Sequence, residues 1–390
     1  MCALPSVTVI CANASTNGMG RALLLAKLLA TETKVRIAGV ASKETIWMPA
    51  RDSGIPIAAF PVPPRPFDYA RAIPWIREQV GDDLVVVSKP VFQSLGLALS
   101  SGLGRRGFVV DIDDWETGLI QHDFHTEGMT GLRQTVARAR SYAARGGVNR
   151  FTAAALLEAY ARHARHRIVS NRWLAARFGG EILYHVRDPA ELDPSLPRAH
   201  AVTPLAGNAT WVGFVGTPRP HKGIDVLVDA VASARRHADV GLAVMGIADP
   251  DDPVVVRARQ LLGAERFVTY PQFPFSALAD HLRLLDIVAV PSLDVPAAWG
   301  QIPAKLFDGM AMAKPVVASA LNDIPEILEG AGFVVKAGHV ASLSDALVRL
   351  AVDPELRVRL GRTARARLVE RYSYDAGRPV LVRAVQNAAK

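Results

Sequence analysis

The chain has 390 residues, half of them hydrophobic and 21% charged, with 45 Lys and Arg against 37 Asp and Glu for a formal net charge of +8. This length exceeds one ordinary core and the composition excludes a disordered chain, so two α/β domains are expected. The two cysteines, Cys2 and Cys11, exclude a disulfide framework or a cysteine metal cluster, and no apolar run reaches the roughly 20 residues that cross a bilayer.

Residues 1–7 lack a basic region followed by an apolar stretch, so no signal peptide is expected and the cytoplasm is the expected location. The positive balance favours anionic partners: phosphorylated ligands, nucleic acid or an acidic membrane face. Zinc-finger spacings and a basic sheet with interleaved aromatics are both missing, so nucleic acid is not expected.

In chain order, short apolar strands alternate with segments of helical period, the pattern of parallel sheets flanked by helices. Strands are expected at 7–12, 35–40, 57–61, 84–88, 107–112 and 167–170, with a glycine-bearing loop at 13–20 and a helix at 21–30. Basic helices are expected at 131–145 and 152–163. The prolines Pro189, Pro194, Pro197 and Pro204 mark a linker, after which strands resume at 211–216, 241–246, 266–270, 287–291, 316–319 and 332–335. The expected organisation is an N-terminal domain 1–190, a linker 191–204, a C-terminal domain 205–371 and a last helix 372–390 that crosses back to the first domain. Two doubly wound domains facing across a cleft follow, with ligands at the carboxyl ends of the strands.

Phe214-Val-Gly-Thr-Pro-Arg-Pro-His-Lys-Gly-Ile-Asp225 follows a strand and leads into a helix. Gly216 permits a tight turn, while Arg219 and Lys222 place two cations beside a helix N-terminus, a combination suited to a diphosphate. A surface loop with two solvated cations has the same sequence. The second segment runs from Pro291-Ser292 to Trp299-Gly-Gln-Ile-Pro-Ala-Lys-Leu-Phe-Asp308, with a helix expected to start near residues 301–303. Asp308 could accept hydrogen bonds from a vicinal diol such as ribose and Lys305 could reach phosphate, or the two could form an exposed ion pair three residues apart.

Both segments resemble the C-terminal half of retaining glycosyltransferases of family 4, which have the GT-B fold. The likeness runs over most of residues 7–375, is specific mainly in 211–326, and extends to Asn322-Asp-Ile-Pro-Glu326. His185-Val-Arg-Asp188 stands where the family has a turn before the linker, and Arg371-Tyr-Ser-Tyr374 resembles the start of its crossing helix. Three features depart from the family. Thr217 follows Gly216, so the nearest arginine is Arg219. Gly300 and Asp308 occupy the two positions of the Glu-x7-Glu pattern. Ala313 replaces a glycine, a difference expected to concern packing.

The resemblance implies transfer of a sugar from a nucleotide diphosphate donor to an acceptor hydroxyl with retention, after domain closure, and without metal or other cofactor. It implies that Gly18 and Gly20 approach the donor through their amides. It further implies donor contacts from Gly216, Thr217, Tyr270, Gln272, Phe273, Gly300, Gln301, Ile302, Lys305 and Asp308, with Arg219 and Lys222 on the leaving phosphate. Asp111-Ile-Asp-Asp-Trp-Glu116 gathers four carboxylates at a strand end, where mutual repulsion should raise at least one pKa unless cations or hydrogen bonds intervene. Asp113 and Asp114 are the candidate catalytic acids, and His122 and His125 the candidate acceptor contacts. A GT-B nucleotide-sugar epimerase and a non-catalytic sugar-nucleotide-binding subunit stay open as alternatives. So do a weak peripheral contact of the basic stretch with an anionic membrane, and either a monomer or a homodimer.

Overall fold

The computed structural model describes residues 4–62, 69–105, 107–126, 150–247 and 249–390. The chain divides into two compact units. One comprises residues 1–184, 299–301 and 377–390, and the other residues 185–298 and 302–376.

The first unit is built on a seven-stranded sheet in the order β3-β2-β1-β4-β5-β6-β7. Its strands are β1 (Val7–Cys11), β2 (Val35–Ala41), β3 (Ile57–Pro61), β4 (Leu84–Ser88), β5 (Phe108–Ile112), β6 (His166–Val169) and β7 (Glu181–Ile182). All pairings are parallel. Helices on both faces explain why β1 and β4 are mainly apolar, with only Thr8 and Ser88 polar, and are buried at every position. The short β7 lacks any apolar run and escapes sequence reading. The helices Met19–Leu29 and Arg150–His163 match two of the expected segments within two residues, whereas the expected helix at 131–145 lies outside the described residues.

The second unit carries a six-stranded sheet in the order β10-β9-β8-β11-β12-β13. The strands are β8 (Thr210–Val215), β9 (Val240–Met245), β10 (Phe267–Tyr270), β11 (Ile287–Val290), β12 (Val316–Ser319) and β13 (Gly332–Val335), again all parallel. Phe214, Leu227, Val231, Val244 and Leu347 form the centre of its core, between the sheet and the helices Ile224–Ala234 and Val340–Val352.

In each sheet the strand order reverses once, between β1 and β4 in the first unit and between β8 and β11 in the second. At such a reversal the loops leaving the two central strands diverge and open a crevice at their carboxyl ends. The sequence chemistry lies on those loops. The last helix, Tyr374–Ala388, sends residues 377–390 into the first unit, where Arg383 pairs with Glu181 at 2.7 Å.

Ala313 corrects one expectation. It adopts φ +52, so the glycine it replaces concerns backbone conformation rather than packing. Its carbonyl lies only 2.0 Å from where a Cβ on Gly361 would stand, so the helix Pro354–Arg371 presses on this turn through a position that has to remain glycine.

Candidate functional site

In the second unit the loops after β8 and β11 are locked together. Gly223 has φ +69, and a Cβ there would meet the Pro291 carbonyl at 2.0 Å. The Leu293 amide donates to the His221 carbonyl at 2.9 Å. Gly223 also caps the helix Ile224–Ala234 in the left-handed conformation, so the Lys-Gly pair ends one turn and starts a helix at once. Lys222 donates through Nζ to the Thr217 carbonyl at 2.9 Å. This bond folds the loop Gly216–Gly223 back on itself, with Thr217 and Arg219 exposed.

Lys305 completes this corner. It lies in the first turn of the helix Ala304–Ala311, which starts one residue after the N-cap Pro303 rather than at 301–303. It is only 7% exposed. Its ammonium sits 3.2 Å from the centre of the Phe214 ring, and among the described residues no carboxylate lies within ion-pair distance of it. The exposed Lys305–Asp308 ion pair is therefore not formed, because Asp308 pairs with Arg187 instead. Burial pushes the Lys305 pKa well below the ordinary lysine value of 10.5, and the neighbouring Lys222 charge pushes it the same way. Two lysines thus stand side by side at this corner, one of them buried against an aromatic ring.

A pH dependence follows. The folded pKa lies below the unfolded one, so between the two the unfolded chain holds more protons at Lys305 and stability rises with pH. A bound polyanion favours the ammonium and moves the pKa back up. Its binding is therefore expected to take up protons at a pH below the ordinary lysine value of 10.5, measurable by calorimetry in buffers of different ionisation enthalpy. Observed binding heats that are the same in every buffer, showing no proton uptake, would contradict this.

The other second-unit candidates are spread wider. Tyr270 uses its hydroxyl to hold the Thr203 carbonyl at 2.7 Å, and its own carbonyl accepts from Gly246 and Ile247. Phe273 stacks on His281 at 3.6 Å, whose Nδ1 lies 2.8 Å from the Ala277 carbonyl. Gln272 is exposed and Ile302 is buried.

In the first unit the four carboxylates at the end of β5 and just beyond it are each paired with one of two cations, Arg21 and Lys89. Asp111 is fully buried and accepts from Arg21 Nε and Nη2 at 2.8–3.1 Å. Lys89 leaves β4 with φ +73. Its ammonium pairs with Asp113 at 2.9 Å, with Asp114, and with Glu116 at 3.5 Å. Burial lowers the Lys89 pKa, but the three carboxylates together outweigh it and hold the value well above the usual range. A lysine ammonium thus stands at the centre of the acid cluster. Neither Arg21 nor Lys89 is legible as a site residue in the sequence. The one available signal was the unbalanced acid cluster, which called for cations from elsewhere.

Gly18 and Gly20 flank the start of the helix Met19–Leu29. Their amides are engaged locally, Gly18 with the Thr16 hydroxyl at 3.4 Å and Gly20 with the Asn17 carbonyl at 3.1 Å. The Trp47 ring lies beside Gly20, where a Cβ would meet it in ordinary van der Waals contact at 3.5 Å. His122 and His125 fall on the helix Glu116–Thr126, and their side chains lie outside the described residues.

Residues 299–301 cluster with the first unit, not with the helix they precede in sequence. Trp299 stacks on Trp115 at 6.0 Å between ring centres. Asn171 donates to the Gly300 carbonyl at 2.9 Å, and Gln301 Nε2 donates to Asp114 Oδ1 at 2.7 Å. A Cβ on Gly300 would lie 2.7 Å from the Trp115 backbone nitrogen. This contact leaves no space for the glutamate side chain that the resemblance would place there. Gly300→Ala is therefore expected to destabilise the first unit by about 1–3 kcal/mol, the usual range for overpacking, and Gly300→Glu by more. Denaturant midpoints check this, and an unchanged midpoint for Gly300→Glu would contradict it.

Among the described residues no helix is long and apolar enough to cross a membrane, and no group of three or more His, Cys, Asp or Glu could hold a metal ion.

Residues 209–353, which contain the loops after β8 and β11, match the family described as Glycosyl transferases group 1. A D-inositol 3-phosphate glycosyltransferase from Corynebacterium glutamicum (strain R) is 32% identical over 163 residues, covering 39% of this chain and 38% of that protein. An alpha-D-kanosaminyltransferase from Streptomyces kanamyceticus is 26% identical over 167 residues, covering 42% of each chain. The chain thus spans 38% and 42% of the lengths of these two curated relatives. Among solved structures, Anabaena HepE in complex with UDP-glucose matches with a TM-score of 0.67 at 16% identity, covering 98% of this chain and 100% of that one. That likeness shows the fold, two Rossmann-like α/β units of the GT-B class, as the resemblance implies.

Proposed function

We infer, from a C-terminal half that matches the group 1 glycosyl transferases and from a GT-B fold, that this protein is a glycosyltransferase using a nucleoside diphosphate sugar. The observation that carries the reading is Lys305, a buried lysine beside Lys222 at the reversal point of the second sheet, with no carboxylate within ion-pair distance among the described residues. Two of the three comparison proteins bear names of transferases, and the third was solved with UDP-glucose, which supports a diphosphate as the anion bound there.

In this reading the bond between the sugar's anomeric carbon and the β-phosphate oxygen breaks, and negative charge gathers on the leaving diphosphate. Lys305, Lys222 and Arg219 stabilise that charge, the largest electrostatic contribution to such a step. The acceptor hydroxyl attacks the same face, its oxygen forming the new glycosidic bond. Its proton passes to the leaving phosphate, and the same-face attack gives retention. Lysine and arginine carry the charge, so the reading uses no metal or further cofactor. Asp113 and Asp114, with Lys89 between them, are the proposed acceptor-hydroxyl contacts. The cytoplasm is the proposed location, and the free, buried Cys11 fits a reducing compartment.

The test is diphosphate release from a panel of nucleoside diphosphate sugars, with and without polyol acceptors that include an inositol phosphate. Release that depends on acceptor, giving a product whose anomeric configuration matches the donor by NMR, is the expected result. Acceptor-independent epimerisation of the donor would favour a nucleotide-sugar epimerase. Tight donor binding without turnover would favour a non-catalytic subunit.

A further inference from the structure

The carboxylate expected to meet the donor's ribose is already held by an arginine. Asp308, on the helix Ala304–Ala311, has a side chain only 6% exposed, and its Oδ1 accepts from Arg187 Nε. Arg187 is fixed in turn. Its amide donates to the Tyr372 carbonyl at 2.9 Å, its carbonyl accepts from the Tyr374 amide at 2.9 Å, and it forms a parallel bridge with Ser373. Its Nη1 donates to the Val186 carbonyl at 3.1 Å. Among the described residues Asp308 Oδ2 and Arg187 Nη2 form no hydrogen bond, so an unused acceptor and an unused donor belong to one locked pair. Lys305 lies one turn earlier on the same helix, close enough to feel the Asp308 charge.

We propose that Arg187 is a specificity-determining residue of the donor site, forming with Asp308 a paired acceptor and donor for a vicinal diol. One ribose hydroxyl donates to Asp308 Oδ2, and the oxygen of its neighbour accepts from Arg187 Nη2. The bridge to Ser373 sets the guanidinium, the guanidinium sets the carboxylate, and the shorter aspartate is thereby held in one orientation. A carboxylate alone offers two acceptors, and this pair instead matches the donor and acceptor faces of adjacent hydroxyls. The inference rests on the nucleoside diphosphate reading above.

The test compares uridine, guanosine and adenosine diphosphates with their 2′-deoxy counterparts and with inorganic pyrophosphate, by calorimetry on the full chain. The wild type is expected to bind at least one ribonucleotide about 10-fold or more tighter than its 2′-deoxy form, the range for one charge-assisted hydrogen bond. Arg187→Lys keeps the charge but loses the planar fork, and is expected to bring that ratio close to one while pyrophosphate binding stays within about twofold. Arg187→Met, checked for a native melting transition, should collapse the ratio as well. A ratio unchanged in the folded Arg187→Lys protein overturns the proposal alone, as does a wild type that binds diphosphates without distinguishing the two sugars. A wild type that binds neither pyrophosphate nor any nucleotide overturns the donor reading and this proposal with it.

Discussion

Replacing Arg21 with methionine is expected to cost the first unit about 3–5 kcal/mol at neutral pH, the range for removing one partner of a buried ion pair. Arg21 and Asp111 have side chains 1% and 0% exposed. The guanidinium grips both carboxylate oxygens and also donates to the Tyr184 and Leu183 carbonyls at 3.1 and 2.8 Å. One side chain thus joins the first helix to the end of β5 and to the chain leaving β7. Methionine fills similar volume but leaves Asp111 without its counter-ion and two carbonyls without a donor.

The sign of the pH dependence separates this loss from a simple packing defect. Burial pushes the Asp111 pKa from 3.8 up to about 6, even against the opposing pull of Arg21. A raised acid pKa contributes stability that is complete below 3.8 and lost as pH rises through about 6. Without Arg21 the folded pKa rises further, and the loss of stability extends to higher pH. Urea midpoints should therefore show a smaller deficit at about pH 5, where the buried carboxyl is neutral, than at about pH 7.5. A deficit that is the same at both values would point to packing instead.

Replacing Lys305 with methionine is expected to weaken diphosphate binding by about 10- to 100-fold, the equivalent of about 1.5–3 kcal/mol for one charge-assisted contact. Apoprotein stability should move the other way. A buried ammonium 3.2 Å from the Phe214 ring centre, with Lys222 beside it, costs desolvation and repulsion that the Asp308 charge offsets only in part. Methionine keeps the stem and lies well against an aromatic ring. The unliganded variant should thus melt at the same or a higher temperature while the liganded stabilisation is lost. A structural lysine would give the opposite pair: unchanged ligand binding and a lower melting temperature.

The parallel sheets were legible because strands covered on both faces read as mainly apolar runs, such as 84–88 and 211–216. Their loops were legible because Gly216, Lys222 and Gly223 combine a turn, a cation and a helix start in eight residues. The pairings around the sites were not. Arg21 meets Asp111 across 90 positions, Arg187 meets Asp308 across 121, and Gln301 meets Asp114 across 187. No local pattern encodes contacts that only the folded chain brings together. The place of the segment 299–301 was not legible for the same reason. Its sequence neighbours form a helix of the second unit, while its partners Trp115, Asn171 and Asp114 belong to the first. Lys89 shows the limit most plainly, since a lysine after an apolar strand looks like a solvated loop residue until the carboxylates that surround it are in place.

The central claim is that the corner formed by Lys305 and Lys222 binds the diphosphate of a nucleotide donor. Calorimetric titration of nucleoside diphosphates and their matching monophosphates into the wild type, Lys222→Ala and Lys305→Met tests it most directly. The account predicts that the wild type binds at least one diphosphate and prefers it to the monophosphate by about 10-fold or more, and that each substitution removes most of that preference. A wild type indifferent to every diphosphate, or two variants that bind as the wild type does, would contradict it.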